Sequence, residues 1–526
     1  MTVETPFFFK GMPSGHDVEF HLYSWLEVLS QWKHGVLFPR WAAWAHFGYG
    51  EPRFVFYPPA SWLLGALISA IFPWKVAAAI YIWSALTLAG ASMFLLARRW
   101  FDRRDAVFAA VLYAVNPYHL IVIYWRSAFA ELLSSCLVPV LLLVLLKAAE
   151  EGWRIVVLLG CVLAAAWLTN APAALMIHYS LVLLLVFFAW QGRSWRLLLM
   201  GAGAVALGAC LSAFYLIPAI YEQKWVNIAE AISAGSCPQD NFLFVHTPFP
   251  DHDAFNRVIS WIAVLEMAVV LGAGVVATIC RQIKRELCSL LWMWAFVCSL
   301  LMFPMTAFVW KFLPKLAFMQ FPWRWLLCLS MIFAIFVTAG LRRWWMRGAV
   351  CVLAIIVIAV AWRIQPPWWD KAADLREMQT NVAEGIGYEG TDEYTPIGAD
   401  PTAIEKGART VTIDGPARGA IHIKRWDPEL RVFTAEVSAA DQLRLRLFQY
   451  PAWQATVNGR VVQTAMQEDT GQMLVPVEAG MNRVEIRFVR TWDRTVGGWI
   501  SILTILGMLV RSALAIKRRR IESFSD

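Results

Sequence analysis

Eleven apolar runs, most of them near twenty residues long, constrain this 526-residue chain more than any other feature. They fall at 75–97, 105–121, 127–146, 155–169, 172–190, 197–219, 258–280, 287–308, 322–340, 348–364 and 496–515. A helix of about 20 apolar residues crosses a hydrocarbon core about 30 Å thick. It also bonds all its own backbone polar groups, which lipid cannot do for it. A further run, 59–72, would reach only about 21 Å at 1.5 Å per residue, so it is expected to lie in the interface or to re-enter. Composition agrees with lipid as the main solvent: 59% of residues are hydrophobic and 16% charged, against about 25% charged in soluble domains. A water-soluble enzyme and a disordered chain are both excluded on that ground.

The 29 tryptophans suit membrane–water interfaces. The net charge of +8 is dispersed in short clusters between apolar runs, so it does not point to nucleic acid. Of nine cysteines, eight lie in apolar runs and Cys237 in a polar loop, with no metal-ligand spacing; neither a disulfide framework nor a zinc site is expected. Charge also predicts direction. Alternate loops carry Arg98, Arg99, Arg103 and Arg104; Lys147 and Arg154; Arg193 and Arg196; Arg281, Lys284 and Arg285; Arg342, Arg343 and Arg347; and Lys517 to Arg520. The positive-inside rule makes these cytoplasmic. Residues 1–74, 220–257 and 365–495 then lie on the outer face, with the C-terminus inside. On this topology the chain starts outside without a signal peptide or a first helix to carry it there. A truncated start, lacking that helix, is expected in preference to a crossing by 59–72.

Four regions follow: an extracytoplasmic loop with interfacial helices (1–74), a transmembrane helical domain (75–364), an extracytoplasmic domain (365–495), and a last helix with a basic tail (496–526). In the third the pattern changes to period-two alternation, as in Arg431-Val-Phe-Thr-Ala-Glu-Val437 and Leu443-Arg-Leu-Arg-Leu447, broken by turns such as Asn458-Gly459. About seven short strands of this kind predict an antiparallel β-sandwich.

Three places carry candidate chemistry. Asp17 and His21, in Gly15-His-Asp-Val-Glu-Phe-His21, share a helix face at a spacing of four. A carboxylate beside an imidazole suits a general base or a divalent metal ion; alternatively Asp17 caps a helix starting near Val18 and His21 faces headgroups. Arg126 stands at the outer entrance of a span with Glu131 a turn inside. Buried ionisable groups of this kind line a cavity or pair; five residues is off-register for a direct pair on one helix but reachable by a long side chain, and a snorkelling arginine with a structural ion pair is the alternative. Arg324, in Gln320-Phe-Pro-Trp-Arg-Trp325, combines a guanidinium with a helix start opened by Pro322, which suits a phosphate; a belt arginine is the alternative. Asn170 reads as a turn residue, His178 as a core histidine, Glu222 as a solvated interfacial charge and Trp453 as core. No P-loop or dinucleotide fingerprint is present.

The ordered blocks Gly15-His-Asp17, His21, Phe38-Pro-Arg-Trp41, Gly48-Tyr-Gly-Glu-Pro52 and Phe56-Tyr-Pro-Pro59, with Arg126, Glu131, Pro322-Trp-Arg324 and Glu393-Tyr-Thr-Pro396, resemble the bacterial pyruvoyl-tetrahydropterin-synthase-related membrane family. The block Tyr450-Pro-Ala-Trp453 to Gly459 with Arg483-Val-Glu-Ile-Arg487 resembles the end of YfhO-like membrane proteins. Both resemble GT-C glycosyltransferases, polytopic enzymes that use polyprenyl-phosphate sugars and an acidic residue of the first outer loop. The resemblance implies a GT-C-like polytopic helical fold in a bacterial cytoplasmic membrane. It implies a polyprenyl-phosphate-linked sugar as donor, a glycan, lipid or protein as acceptor, and Asp17 as the catalytic carboxylate. Arg126 and Arg324 would hold phosphate, and His21 and Glu51 would orient the acceptor or complete a metal site; Tyr57 and Glu131 are counted with the substrate-binding residues. No cofactor beyond a candidate divalent metal ion is called for. A flippase for lipid-linked glycans and a non-catalytic envelope scaffold are the competing functions.

Overall fold

In the computed structural model, residues 2–151, 154–192, 195–281, 283–364 and 369–525 are described. Arg193 and residues 365–368, where the third region was expected to start, lie outside them, as do the side chains of Arg154 and Lys517 to Arg520. Among the described residues, eight helices are long and apolar enough to cross a membrane, or ten if two sharply bent pairs each count as one span. Ten of the eleven expected runs thus appear as spans or bent spans. The run 155–169 forms a shorter helix, Arg154–Thr169, and 59–72 forms the thirteen-residue helix Pro59–Ile71. The bends fall at 78° between Arg196–Leu211 and Ala213–Trp225 and at 92° between Arg285–Leu301 and Pro304–Phe312.

The chain divides into two compact units. The first comprises 1–30, 58–201 and 229–384. At its centre is helix Leu326–Gly340, in which every side chain but Phe333 is buried, with Gly340 partly exposed at its end. It packs against Pro250–Ile279, Arg285–Leu301 and Arg103–Ala114. Some hydroxyls on these apolar helices bond back to carbonyls one turn earlier, as Thr278 does to Gly274 at 2.7 Å. Helix ends are set by local chemistry. Asn116 caps Pro117–Ile121 by accepting from the His119 amide at 2.9 Å, and Asn170 caps Ala171–Gly192 through the Ala173 amide at 2.9 Å. His178 bonds the Ala174 carbonyl at 2.7 Å, as a core histidine would. Helix Trp344–Ile364 is the opposite of the central one: Val352, Leu353, Ile355 and Ile356 are all exposed, a face for lipid.

The second unit comprises 31–57, 202–228 and 385–526. Its strands occupy 411–488 and form two antiparallel sheets. One runs in the order Gly419–Asp427, Leu430–Val437, Gly480–Phe488, Trp453–Val457, Arg460–Val462; the other Val411–Ile413, Asp441–Phe448, Gln472–Val477, Ala465–Met466. Alternation does what the sequence predicts: Phe433, Ala435 and Val437 are buried, as are Leu443, Leu445 and Leu447. Asn458 and Gly459, both at positive φ (51° and 82°), make the tight turn between Trp453–Val457 and Arg460–Val462. Trp453 lies in an aromatic core with Trp41 and Phe488, at ring distances of 5.5 and 4.9 Å. The last helix, Trp492–Ser525, closes the unit.

Candidate functional site

In the first unit, four charged residues from distant points of the sequence meet at one end of the helix bundle. Arg126 Nη1 donates to Glu131 Oε2 at 2.5 Å, and its Nη2 donates to Asp17 Oδ2 at 3.2 Å. Arg324 Nε donates to the same Glu131 Oε2 at 3.1 Å. The Tyr118 hydroxyl donates to the other oxygen, Glu131 Oε1. Arg126, Glu131 and Arg324 are buried, whereas the Asp17 side chain is 38% exposed. Two cations thus balance two anions, three of the charges are withdrawn from water, and one carboxylate opens to it.

Local backbone explains how Arg126 and Glu131 meet despite their spacing. The helix loosens to a π-helical turn at Val122–Arg126, and Ser127 takes a left-handed conformation at φ 49°. A new helix starts at Phe129, rotated so that Glu131 faces back. Such π turns recur at functional positions because they re-aim one side chain. Asp17 is placed by backbone rather than by its own side chain. Its amide donates to the Arg126 carbonyl at 2.8 Å, the His16 amide to Trp125 O at 3.3 Å, and the Gly15 amide to Ser127 Oγ at 3.0 Å. Only glycine fits at 15, since a Cβ there would stand 2.5 Å from Trp125 O and 2.6 Å from the Arg126 carbonyl carbon. Helix Val18–Lys33 starts directly after Asp17, as a capping role would also require.

Arg324 is held by an unusual turn. Phe321 N donates to Met319 O at 2.7 Å, closing a three-residue turn with Gln320 at φ 62°, ψ −58°, a strained conformation for a residue with a side chain. Arg324 Nη1 bonds Met319 O at 2.5 Å and Gln320 Oε1 at 3.1 Å, while Gln320 Nε2 donates to Ala231 O at 2.7 Å. Phe321 and Trp323 stack at 4.8 Å, nearly parallel. The Arg126 guanidinium lies 5.0 Å from the first ring and 5.3 Å from the second, and Arg324 4.6 Å from Phe321, in reach of cation–π attraction.

His21 follows Asp17 by one helical turn. Its ring is buried and stacks on Phe129 at 5.1 Å, in an aromatic core with Trp25 and Tyr81. Among the described residues, no three of His, Cys, Asp and Glu gather to hold a metal ion. Glu131, which shares Arg126 with Asp17, is committed to two arginines and a tyrosine.

Glu51 and Tyr57 belong to the second unit. Glu51 is fully buried, with Arg53 Nε at 2.6 Å, His46 Nε2 at 3.0 Å and the Thr391 amide at 2.8 Å. Burial alone would raise its pKa, but Arg53 and the hydrogen bonds from His46 and Thr391 hold it at about 2. Glu393, two residues from Thr391, behaves oppositely: burial, reinforced by the Glu51 charge, pushes it up to about 7. Tyr57 follows the short helix Arg53–Phe56 and bonds back to Arg53 O at 2.8 Å through its amide. Glu222 departs from expectation. It is not a solvated charge but fully buried, accepting from Arg494 Nε and Nη2, both at 2.7 Å, and from the Tyr450 hydroxyl at 2.5 Å. A charge that hydropathy alone leaves in water is hidden at the end of an apolar helix, Ala213–Glu222.

Sequence reasoning missed Tyr118, Gln320 and Phe321. The first had a signal: a tyrosine inside an apolar run needs a partner for its hydroxyl. The other two owe their roles to a turn that no local pattern announces.

Solved structures that resemble the fold include the Archaeoglobus fulgidus oligosaccharyltransferase in complex with Zn and sulfate, at 15% identity and a TM-score of 0.37, covering 73% of this chain and 51% of that one. Its apo form gives 14% and 0.38, over 74% and 54%. Archaeal oligosaccharyltransferase AglB from the same organism, in complex with an inhibitory peptide and a dolichol-phosphate, gives 15% and 0.37, over 73% and 53%. The chain thus spans about half the length of these proteins. No curated protein matches the chain. The family model of the 6-pyruvoyl-tetrahydropterin synthase related domain, a membrane protein, matches residues 54–369, a stretch that carries Arg126, Glu131 and Arg324. The chain is a member of that 6-pyruvoyl-tetrahydropterin synthase related family of membrane proteins.

Proposed function

We propose that this chain is a membrane glycosyltransferase that moves a sugar from a polyprenyl-phosphate donor to an acceptor hydroxyl at the outer face of a bacterial cytoplasmic membrane. The observation that carries the reading is the paired guanidiniums of Arg126 and Arg324 on one buried carboxylate, with the half-exposed Asp17 beside them. Two cations fixed at the end of membrane helices suit a phosphate whose lipid tail stays in the bilayer. An exposed carboxylate next to them suits a proton acceptor.

The reaction follows from those placements. The acceptor oxygen attacks the anomeric carbon as the bond from that carbon to the phosphate oxygen breaks. The hydroxyl proton passes to Asp17, and the phosphate leaves with the bonding pair as polyprenyl phosphate. Arg126 and Arg324 stabilise the charge gained by that phosphate, each contact worth about 1.5–3 kcal/mol. In-line attack inverts the anomeric centre. These steps use only the protein's own side chains; among the described residues, no three of His, Cys, Asp and Glu gather around Asp17. The acceptor is a glycan, lipid or protein, and the strand region of the second unit is the part proposed to lie outside the membrane.

A second reading, a flippase for lipid-linked glycans, is favoured by one residue. Glu266 is a buried carboxyl in the middle of helix Pro250–Ile279, where ionisable groups usually mark a pathway. A single experiment separates the two. Membranes containing the wild type or Asp17→Asn, at equal inserted protein, are incubated with a panel of labelled polyprenyl-phosphate sugars. A transferase consumes one donor, and the variant is slower by roughly 10²–10⁴-fold. Consumption of none by inserted wild type, or equal rates in both proteins, overturns the proposal.

A further inference from the structure

We infer that Asp17 occupies the phosphate position of Arg126 as an internal anion, so that donor binding itself displaces Asp17 and frees it to accept a proton. This rests on the glycosyltransferase reading above and adds an order of events to it.

The geometry separates the two halves of the Arg126 guanidinium. Nη1 is committed to Glu131 at 2.5 Å, inside the bundle. Nη2 points the other way, to Asp17 Oδ2, at 3.2 Å. That second contact is the longer of the two and the only one whose acceptor reaches water. An anion arriving from the exposed side therefore meets Nη2 with a carboxylate already on it. A carboxylate and a phosphate present the same paired oxygens to a guanidinium, so both cannot hold Nη2 at full strength.

Losing the contact does not dislodge either residue. Asp17 stays in place through its amide on the Arg126 carbonyl at 2.8 Å, and Gly15 through Ser127 Oγ. Arg126 stays in place through Glu131 and the Phe321–Trp323 pair. What changes is the Asp17 carboxylate alone. Held on Nη2 it is turned to the guanidinium; with Arg126 turned to phosphate, it is released toward the acceptor. The carboxylate is then free to meet the acceptor hydroxyl only when the donor is seated.

The test reads binding, not turnover. Purified full-length protein in nanodiscs is titrated with a short-chain polyprenyl phosphate, inorganic phosphate and the matching polyprenol, for wild type, Asp17→Asn, Asp17→Ala and Arg126→Gln. Removing the resident anion tightens polyprenyl phosphate binding by about tenfold, the low end for a charge-assisted contact because Asp17 is partly in water. Both Asp17 variants do this, and Arg126→Gln loses binding. Tightening for inorganic phosphate as well confirms the phosphoryl group as the ligand. Equal or weaker binding by the Asp17 variants, with wild type binding normally, overturns the inference and leaves the transferase reading intact. Equal tightening for polyprenol overturns it too, since no anion is then involved. No phosphate-lipid binding by folded wild type and variants alike overturns both.

Discussion

Replacing Glu131 by Gln is the perturbation whose size the structure fixes best. Glu131 is isosteric with Gln, so packing is preserved and only charge changes. Both guanidiniums contact the same oxygen, at 2.5 and 3.1 Å. Those donor nitrogens stand no farther apart than the two distances together, about 5.6 Å. Like charges at that separation repel by roughly 3 kcal/mol at an effective dielectric of 20. The Gln amide also turns N–H groups toward donors, or leaves one arginine unsatisfied. Removing one partner from a buried ionic cluster costs about 3–5 kcal/mol, and we expect Glu131→Gln to fall in that range. Unfolding of protein in nanodiscs, followed by tryptophan fluorescence, measures it. The double change Glu131→Gln with Arg324→Leu removes one of the opposed charges and recovers about 1–2 kcal/mol relative to the sum of the single changes. A loss below about 1 kcal/mol for the single variant, or strict additivity in the double, refutes the shared-carboxylate account.

Two further outcomes are expected. Gly15→Ala places a methyl against three backbone atoms at 2.5–2.7 Å; it destabilises by about 1–3 kcal/mol and lowers transfer by carrying Asp17 off Arg126, and an unchanged rate in a folded variant refutes the close contact. In the second unit, Glu393 is neutral up to about pH 7 when folded but ionises near its usual 4.5 when unfolded. Stability from this group is therefore complete below pH 4.5 and declines as pH rises to 7, by up to about 3.5 kcal/mol at ~1.4 kcal/mol per unit. Glu393→Gln removes that decline, so the unfolding curves of wild type and variant converge at acid pH and diverge toward neutrality; parallel curves refute it. Glu51, held at about 2, acts in the opposite sense and loses its contribution only as pH falls from 4.5 toward 2.

Much of the architecture was legible because lipid imposes a length and a polarity on every span. Runs such as 75–97 and 322–340 admit no other element, and period-two stretches such as Arg431–Val437 declare which side chains turn inward. The short run 155–169 was harder, since hydropathy counts residues but not the depth they reach. At the site, Arg126, Glu131 and Arg324 stood out because ionisable groups within apolar runs are rare. That they could meet was legible, but the route was not: the π turn at Val122–Arg126 and the left-handed Ser127 shift the α-helical register between Arg126 and Glu131. Glu222 was misread for a related reason: its partner Arg494 lies 272 residues away, and no local pattern links the two. The Phe129 stack under the His21 ring was not legible either, because Phe129 lies more than a hundred residues away in the sequence.

The turn at Gln320 has a mechanical meaning. A side-chain-bearing residue in that conformation stores about 1–3 kcal/mol, and three ties keep it there: two from Arg324 Nη1 and one to Ala231. The turn is a sprung catch whose trigger is the arginine's own head group. Any ligand that draws Arg324 Nη1 off Met319 and Gln320 releases two of the three ties, and relaxation of the spring then favours the new position. The third tie, from Gln320 Nε2 to Ala231 O, would stay, and it fastens the turn to a segment more than ninety residues away in the sequence from either arginine.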